Sequence, residues 1–587
     1  MIEVKEQWRS ALADALNSIL REKGLDVPEV KAESLITETP PKPEMGDIAF
    51  PMFPFARIFR ISPPEIAGVV AKKLAENDVM AGQGDILPTG PYVNIRFALT
   101  GVASQVLGDV ETRGDRYGHT DDLKGRKVMI EFSCPNTNKP LHLGHLRNDS
   151  LGYAVSRILE ANGAEVRRVN LINDRGIHIC KSMLAYRVFG QSATPESTGV
   201  KSDHFVGDYY VKYNKWSQED PSAEEQARKM LQQWEAGDPG VRDLWKLMNR
   251  WAVEGIQETY EKTHIEFDKI YYESETFSQG REEVLKGLET GVFYRDEKGT
   301  VWVDLEEAGL DKKVLLRGDG TTLYLTQDIG TAIARHQDWP FEELIYVVGS
   351  EQKYHFQVLF HVLGLLGFEW AKNLFHLSYG MVNLPEGKMK SREGKVVDAD
   401  DLIDELTEMA AREIRGKGRE EDVEDVEETS RKVALAALNY YLLQVTPSKD
   451  MIFNPAESLS FTGNTGPYLQ YMGARISSVL RKYEALTGPR GKVDPSLLTV
   501  SEERELVKQI AGFPGAVSLS GKEMNPSILA AALYELCKTY SRYYHDNQVL
   551  KNDNPDLVAT RVQLSRAVLQ VLRNGFPLLG IPFLEKM

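Results

Sequence analysis

Cysteine is scarce. The 587 residues hold three, Cys134, Cys180 and Cys537, and no two of them form a C-x-x-C pair. That pattern excludes a disulfide framework and a cysteine zinc site and suits a reducing cytosol, so a cytoplasmic protein is expected. Long apolar runs are missing as well. None approaches the roughly 20 residues that span a bilayer, which leaves no membrane partner to expect. The opening stretch "MIEVKEQWRSALADALNSILREKG" carries acids through its charged face, unlike a signal or transit peptide. Its Trp8, Leu12, Leu16, Ile19 and Leu20 recur at helical spacing and Gly24 supplies a stop, so a structural helix is expected there. Internal repeats and long low-complexity segments are lacking too.

Basic charge is in overall deficit, with a net of −16. The distribution is less one-sided: residues 451–587 carry 15 basic and 12 acidic side chains, a net of +3, against −19 over the first 450. Nucleic-acid binding needs a local basic surface rather than a basic protein, so this asymmetry permits such a partner without requiring one.

What is present is ordinary globular composition, 42% hydrophobic and 27% charged, in a chain too long for one core. Residues 1–120 mix helices with the Pro-rich "TETPPKPEMGDIAFPMFPFAR" and end near "GPYVNIRF", whose alternation suggests a strand. They read as a small α/β appendage. From 121 to 415, strand-like runs at Val128–Phe132, Val166–Ile172, Leu344–Val348 and Phe375–Tyr379 alternate with helical patterns, the signature of a parallel α/β sheet. A polar, Trp-dotted helical stretch from about 190 to 290 reads as an insertion. Beyond 400 the strand signals stop. The charge-rich "GREEDVEDVEE" marks a join, and residues 416–587 read as a helical bundle. "YLQYMGARISSVLRK" lines up Leu469, Met472, Ile476, Val479 and Leu480, and Leu557, Leu564, Val568 and Leu572 repeat the pattern before Gly575.

One stretch carries chemistry. In "FSCPNTNKPLHLGHLRN", a short apolar run leads through a Pro- and Asn-rich loop into His142-Leu143-Gly144-His145. A strand, a turn and a helix N-terminus together offer backbone N–H groups and a positive dipole end for a phosphate. Two imidazoles one helical turn apart can donate to phosphate oxygens, and Gly144 lets a nucleotide approach the backbone. A capping arrangement or a metal pair would use the same four residues, although no third metal ligand stands nearby.

The longer block "SCPNTNKPLHLGHLRND" resembles the HIGH signature of class I aminoacyl-tRNA synthetases in the form found in the arginyl-tRNA synthetase family. Residues 386–397, "EGKMKSREGKVV", resemble that family's KMSKS loop. The resemblance implies that Lys388, Met389, Lys390 and Ser391 contact ATP, and that Lys388 and Arg392 stabilise charge on the departing pyrophosphate. Here Lys390 stands at the serine position and Ser391 at the second lysine position. The family's compensating lysine before the histidines would be Lys139, making His142, His145, Lys139, Lys388 and Arg392 the catalytic set. Tyr379-Gly380-Met381-Val382 resembles the segment lining adenine, so Gly380, Met381 and Val382 join His142, Gly144 and His145 at ATP.

A guanidinium substrate calls for a carboxylate in a two-pronged contact. "DGTTLYLTQDIGTAIARH" offers Tyr324 and Asp328 four apart and resembles the family's Y-x-T-x-D pocket motif. Without that likeness, Asp328 reads as a first-turn helix carboxylate favoured by the dipole. Glu131, Asn136 and Gln352 match the family positions that hold the substrate's α-amino and α-carboxylate groups. A lone Glu131 in an apolar strand also needs a partner for its charge, and an α-ammonium would be one.

The likeness extends over nearly the whole chain. "GDIAFPMFPFAR" and "GPYVNIRF" resemble a Pro- and aromatic-enriched form of the N-terminal additional domain, which implies recognition of the tRNA elbow. The helical end resembles the anticodon-binding domain, where Tyr471, Arg475, Tyr544 and Met587 are candidate RNA contacts; as buried core the tyrosines would look the same. Lys586 replaces the arginine of the usual E-R-M ending. The resemblance implies a Rossmann-like catalytic domain, L-arginine, ATP and an arginine-accepting tRNA as partners, Mg2+ accompanying ATP without a protein-ligand site, and a monomer. Another adenylate-forming enzyme of the same superfamily would have no use for the helical end. A non-catalytic tRNA-binding paralogue would be expected to carry damaged signatures.

Overall fold

The computed structural model describes residues 2–25, 27–42, 45–76, 83–383, 385, 397–416, 418, 423, 425–487 and 490–587. The chain forms two compact units, each assembled from several segments. One unites residues 1–117, 475–514 and 535–574, and the other residues 118–474, 515–534 and 575–587.

In the first unit, strands β1 (Ile48–Pro51), β2 (Gly84–Thr89) and β3 (Tyr92–Phe97) pair antiparallel in the order β1-β3-β2. The strand expected in "GPYVNIRF" is the central one, which is why Val93, Asn94 and Ile95 are all buried. The helix Ile2–Glu22 buries Trp8, Leu12, Leu16, Ile19 and Leu20, and Gly24, at φ +62°, follows its end. Two carboxylates lie inside this unit. Asp47 is ion-paired with Arg504 at 3.5 Å and with Lys508. Glu503 takes Arg561 Nε at 2.9 Å and the Tyr543 hydroxyl at 3.3 Å. Partners of this kind are what make a buried carboxylate tolerable.

The second unit adds β4 (Lys127–Glu131), β5 (Glu165–Ile172), β6 (Lys269–Tyr272), β7 (Tyr294–Arg295), β8 (Val301–Val303), β9 (Lys313–Leu316), β10 (Glu343–Gly349), β11 (Leu374–Tyr379), β12 (Val382–Asn383) and β13 (Met451–Ile452). Five of these form a parallel sheet in the order β11-β10-β4-β5-β6. The chain runs outward from β4 through β5 to β6, then returns to the other side of β4 for β10 and β11. The winding therefore reverses between β4 and β10, and the crevice beyond their carboxyl ends is where such sheets bind ligands. Val128, Met129 and Ile130 are at most 1% exposed, so each contributes about 1.5–3 kcal/mol of burial to the floor beneath that crevice.

The four strands expected from sequence are present with ends shifted by a residue or so. β6 lies inside the stretch read as an insertion, so the helical excursion comprises Pro195–Thr198, Ser202–Glu219, Ser222–Glu235 and Pro239–Thr263, around a core that includes Tyr213, Trp234 and Trp251. The antiparallel sheet β7-β8-β9 was not legible, and β13 pairs with β12 beyond residue 400. Strands of two to four residues are too short for periodicity to reveal. The helix Pro555–Leu578 runs past Gly575 instead of stopping there; a Cβ at Gly575 would stand 2.7 Å from Leu533 Cδ2, so the glycine serves close packing. Among the described residues, no helix is long and apolar enough to cross a membrane.

Candidate active site

After β4 the chain loops to His142, the N-cap of the helix Leu143–Ala161, where its backbone is extended. His142 Nδ1 accepts the Gly144 N–H at 3.1 Å, and the His142 N–H donates to His145 Nδ1 at 3.1 Å. This is a reciprocal capping box built from imidazoles, with ring centroids 3.9 Å apart. An accepting Nδ1 places the proton of a neutral imidazole on Nε2. Both rings are held neutral. Burial, aided by Lys139, lowers His142 to about 4, and burial drives His145 well below the usual imidazole range. Two Nε2–H donors and a helix N-terminus are thereby available to an anion. A Cβ at Gly144 would lie 3.0 Å from His142 Cε1, a tight contact to which the capping imidazole would have to yield.

His142 lines a cleft of about 390 Å³ whose walls also include Asn136, Lys139, His178, Tyr210 and Asp398. Burial lowers the pKa of the Lys139 ammonium. The Leu143 N–H donates to Val397 O at 3.0 Å and the Ala399 N–H to Leu141 O at 3.1 Å, which lays residues 397–399 against the histidines. Asp400 takes Lys201 and Lys262 at 2.8 Å each and Thr259 at 3.0 Å. His204 lies 3.5 Å from Asp400, which raises its pKa. Asp203, His204 and Asp400 have ligand-type atoms within 4.8 Å of one another. Two ammonium groups already occupy the Asp400 oxygens and would repel a cation, so this cluster is an ion-pair anchor.

The structure gives Glu131 a resident partner. Its carboxylate, on a residue only 5% exposed, is ion-paired with the equally buried Arg335 of the helix Tyr324–Asp338. Asp328, on the same helix and half-buried, is hydrogen-bonded to His355 Nε2 at 2.6 Å. Tyr324 is 73% exposed at the start of that helix, while Gln352 is exposed just past β10 and Asn136 is exposed in the loop after β4. At the end of β11, the Gly380 N–H donates to Pro447 O at 2.9 Å and the Met381 N–H to Asp450 Oδ1 at 2.7 Å. A Cβ on Gly380 would overlap the backbone of Lys449 and Asp450, so close chain approach requires this glycine. Val382 is buried and Met381 exposed. Lys388, Met389, Lys390, Ser391 and Arg392 lie outside the described residues.

Comparison with known families accounts for nearly the whole chain. Residues 110–455 match the catalytic domain of class I (R) tRNA synthetases, residues 469–587 the DALR anticodon binding domain, and residues 6–97 the arginyl tRNA synthetase N terminal domain. The curated arginine–tRNA ligase of Treponema denticola is 56% identical over the full length of both chains, and that of Borrelia hermsii 44%. The chain belongs to the arginyl-tRNA synthetase family. Its structure resembles the Thermus thermophilus arginyl-tRNA synthetase with a TM-score of 0.76 at 27% identity, covering 99% of this chain and 100% of that one. The Plasmodium falciparum arginyl-tRNA synthetase gives the same TM-score at 18% identity, covering 100% and 99%, a likeness of fold alone.

Within this arginyl-tRNA synthetase family member, the four candidate RNA contacts have distinct surroundings. Arg475 lies over the Tyr544 ring, 5.3 Å from its centroid, and Tyr544 stacks at 6.4 Å on the buried Tyr540. Tyr471 and Met587 are half-buried. Sequence reasoning missed Arg335, His355 and Asp400. His355 stands three residues after Gln352 and its proximity could have flagged it, whereas Arg335 and Asp400 show their partners only in three dimensions.

Proposed function

We propose that this chain joins L-arginine to its tRNA in two in-line steps. The arginine carboxylate attacks the α-phosphate of ATP, releasing pyrophosphate, and the 2′-hydroxyl of the terminal adenosine then takes the arginyl group from the adenylate. The imidazole capping box carries this reading. It supplies two neutral Nε2–H donors that stabilise phosphate charge without proton transfer, so the chemistry is positioning and electrostatics. Lys139 adds a partly desolvated ammonium at the same cleft, and Lys388, Met389, Lys390, Ser391 and Arg392 would close on the pyrophosphate from the basic loop. Mg2+ bound to the ATP phosphates would neutralise their charge and needs no ligand from the chain.

Asp328, oriented by His355, is assigned to the guanidinium together with Tyr324. Asn136 and Gln352 are assigned to the backbone groups of arginine, and Gly380, Met381 and Val382 to adenine. Glu131 keeps its assignment near the α-amino group, although Arg335 already meets the charge requirement that first suggested it. Residues 1–120 would meet the tRNA elbow, 121–415 carry the catalysis and 416–587 read the anticodon through Tyr471, Arg475, Tyr544 and Met587, in a cytoplasmic monomer.

The test is ATP–pyrophosphate exchange with each of the twenty amino acids, with and without tRNA. Exchange with arginine alone supports the reading, and its appearance only with tRNA would establish coupling. Folded protein that binds tRNA but exchanges nothing under either condition would be a non-catalytic paralogue.

A further inference from the structure

Ser133 and Cys134 stand in left-handed backbone, at φ +73° and +51°, where residues bearing a Cβ seldom sit. They form the turn between buried Glu131 and the cleft residue Asn136. Surrounding groups must hold that turn, and the structure shows which do so. The Ser133 N–H donates to Asn148 Oδ1 at 2.6 Å, and the Ser133 and Tyr260 hydroxyls share a hydrogen bond of 2.6 Å. The Cys134 N–H donates to Asn170 Oδ1 at 3.1 Å, while Asn170 Nδ2 donates to the Tyr260 hydroxyl at 3.0 Å. Tyr260 is thus the point where the side-chain supports of both left-handed residues meet.

Tyr260 comes from neither the loop nor the parallel sheet. It is 2% exposed and sits in the last turn of the helix Pro239–Thr263, within the helical excursion. Its neighbour Thr259 binds Asp400, two residues after Asp398, which pairs through its backbone with His142. One helical turn therefore holds both the loop that leads to the histidines and the segment that pairs with His142. Burial, with the nearby Asp149 charge, pushes the Tyr260 phenol far above its ordinary range, so it works as a neutral hydrogen-bonding pivot.

We propose that Tyr260 is a positioning residue for the charging reaction, its hydroxyl holding the Ser133–Cys134 turn left-handed and so setting where Asn136, Lys139 and His142 stand over the substrates. This rests on the arginine–tRNA ligase reading.

A double-mutant cycle tests it. Tyr260→Phe removes one oxygen, and kcat for charging is expected to fall about tenfold while KM for ATP changes little, since the turn acts on reacting geometry. Ser133→Gly, for which positive φ carries no steric penalty, is expected to charge normally and, combined with Tyr260→Phe, to return kcat to within about twofold of wild type. A merely structural tyrosine would not be rescued by deleting a side chain elsewhere. Losses that multiply, or a Tyr260→Phe enzyme with wild-type kcat, overturn the proposal. Should Tyr260→Phe not fold, Asn170→Ser with rescue by Cys134→Gly examines the other half of the turn.

Alkylation of half-buried Cys134 by iodoacetamide, mapped by peptide mass, follows the same turn without catalysis. It should be faster in Tyr260→Phe and return to the wild-type rate in the double variant; equal rates in all variants overturn the proposal. A wild-type chain that charges no tRNA faults the ligase reading instead, and the alkylation rates still decide whether Tyr260 holds the turn.

Discussion

Glu131 and Arg335 form an ion pair in the interior, with 7% and 1% of their side chains exposed. Breaking a buried pair from one side strands the other charge, at a cost of about 3–5 kcal/mol. Arg335→Met is expected to lose that much stability in urea unfolding, and Glu131→Gln/Arg335→Met to recover most of it. A loss below about 1 kcal/mol for the single variant would mean that water reaches Glu131 and that the pair is effectively a surface one.

Neutral His142 makes stability depend on pH. Its folded pKa is about 4, against an ordinary 6.5, so between those values the unfolded chain binds more protons than the folded one. The contribution is complete above about pH 6.5 and is lost as pH falls toward 4. Comparing urea unfolding at pH 7.5 and pH 5, wild type should lose about 2 kcal/mol more than His142→Asn, because asparagine keeps the helix cap without a titrating ring. Equal losses would place a charged imidazole in the fold. The same variant lacks one Nε2–H donor, and its kcat for charging should drop about 10²–10³-fold.

Asp149 behaves in the opposite sense. Burial raises its pKa from 3.8 to about 7, partly offset by the Ser133 hydroxyl, and its Oδ1 has no hydrogen-bond partner among the described residues. The folded state therefore favours the protonated acid, a contribution present below about pH 4 and lost as pH rises through 7. Asp149→Asn should raise Tm at pH 8 and change it much less at pH 4. A lower Tm at pH 8 would show that the ionised carboxylate is bound by a partner.

How far the sequence discloses this molecule follows from the range over which each feature is determined. His142, Gly144 and His145 are legible because their cap is local, closed within four residues. β4 and β10 are legible because buried parallel strands read as apolar runs, and β5 and β11, which are only partly buried, because enough apolar residues recur along them. Arg335 is not: in "TAIARH" it looks like the solvated end of a helix, and only the fold brings it to Glu131. Glu131 is legible as a buried charge that needs a partner, whereas the identity of the partner within the chain is not, because Arg335 reaches it only through the fold. Tyr260 lies in a helical excursion whose pattern predicts packing, and nothing local announces that its hydroxyl reaches Ser133. The fold is thus legible where periodicity runs for a turn or a strand, and the site is illegible where two distant segments meet through a single polar atom.

Asp328 offers the sharpest check on substrate choice. It is half-buried, and His355 Nε2 holds one carboxylate oxygen at 2.6 Å, which fixes the carboxylate plane; under the proposed assignment the other oxygen takes the guanidinium. Tyr324, one turn earlier on the same helix, is exposed, and under the same assignment it would stack on or donate to the bound arginine. Asp328→Asn replaces a charged acceptor by a neutral amide of the same shape. Hydrogen bonds to charged groups contribute about 1.5–3 kcal/mol, so KM for arginine should rise by roughly 10- to 100-fold while KM for ATP stays put, and discrimination against uncharged amino acids should narrow. His355→Gln keeps a donor in place and should cost less than Asp328→Asn on the same assay. Steady-state charging at saturating ATP and tRNA measures both. If kcat/KM for arginine is unchanged in Asp328→Asn, the guanidinium is held elsewhere and the Asp328–His355 contact serves only to tie the helix Tyr324–Asp338 to the helix Lys353–Leu365.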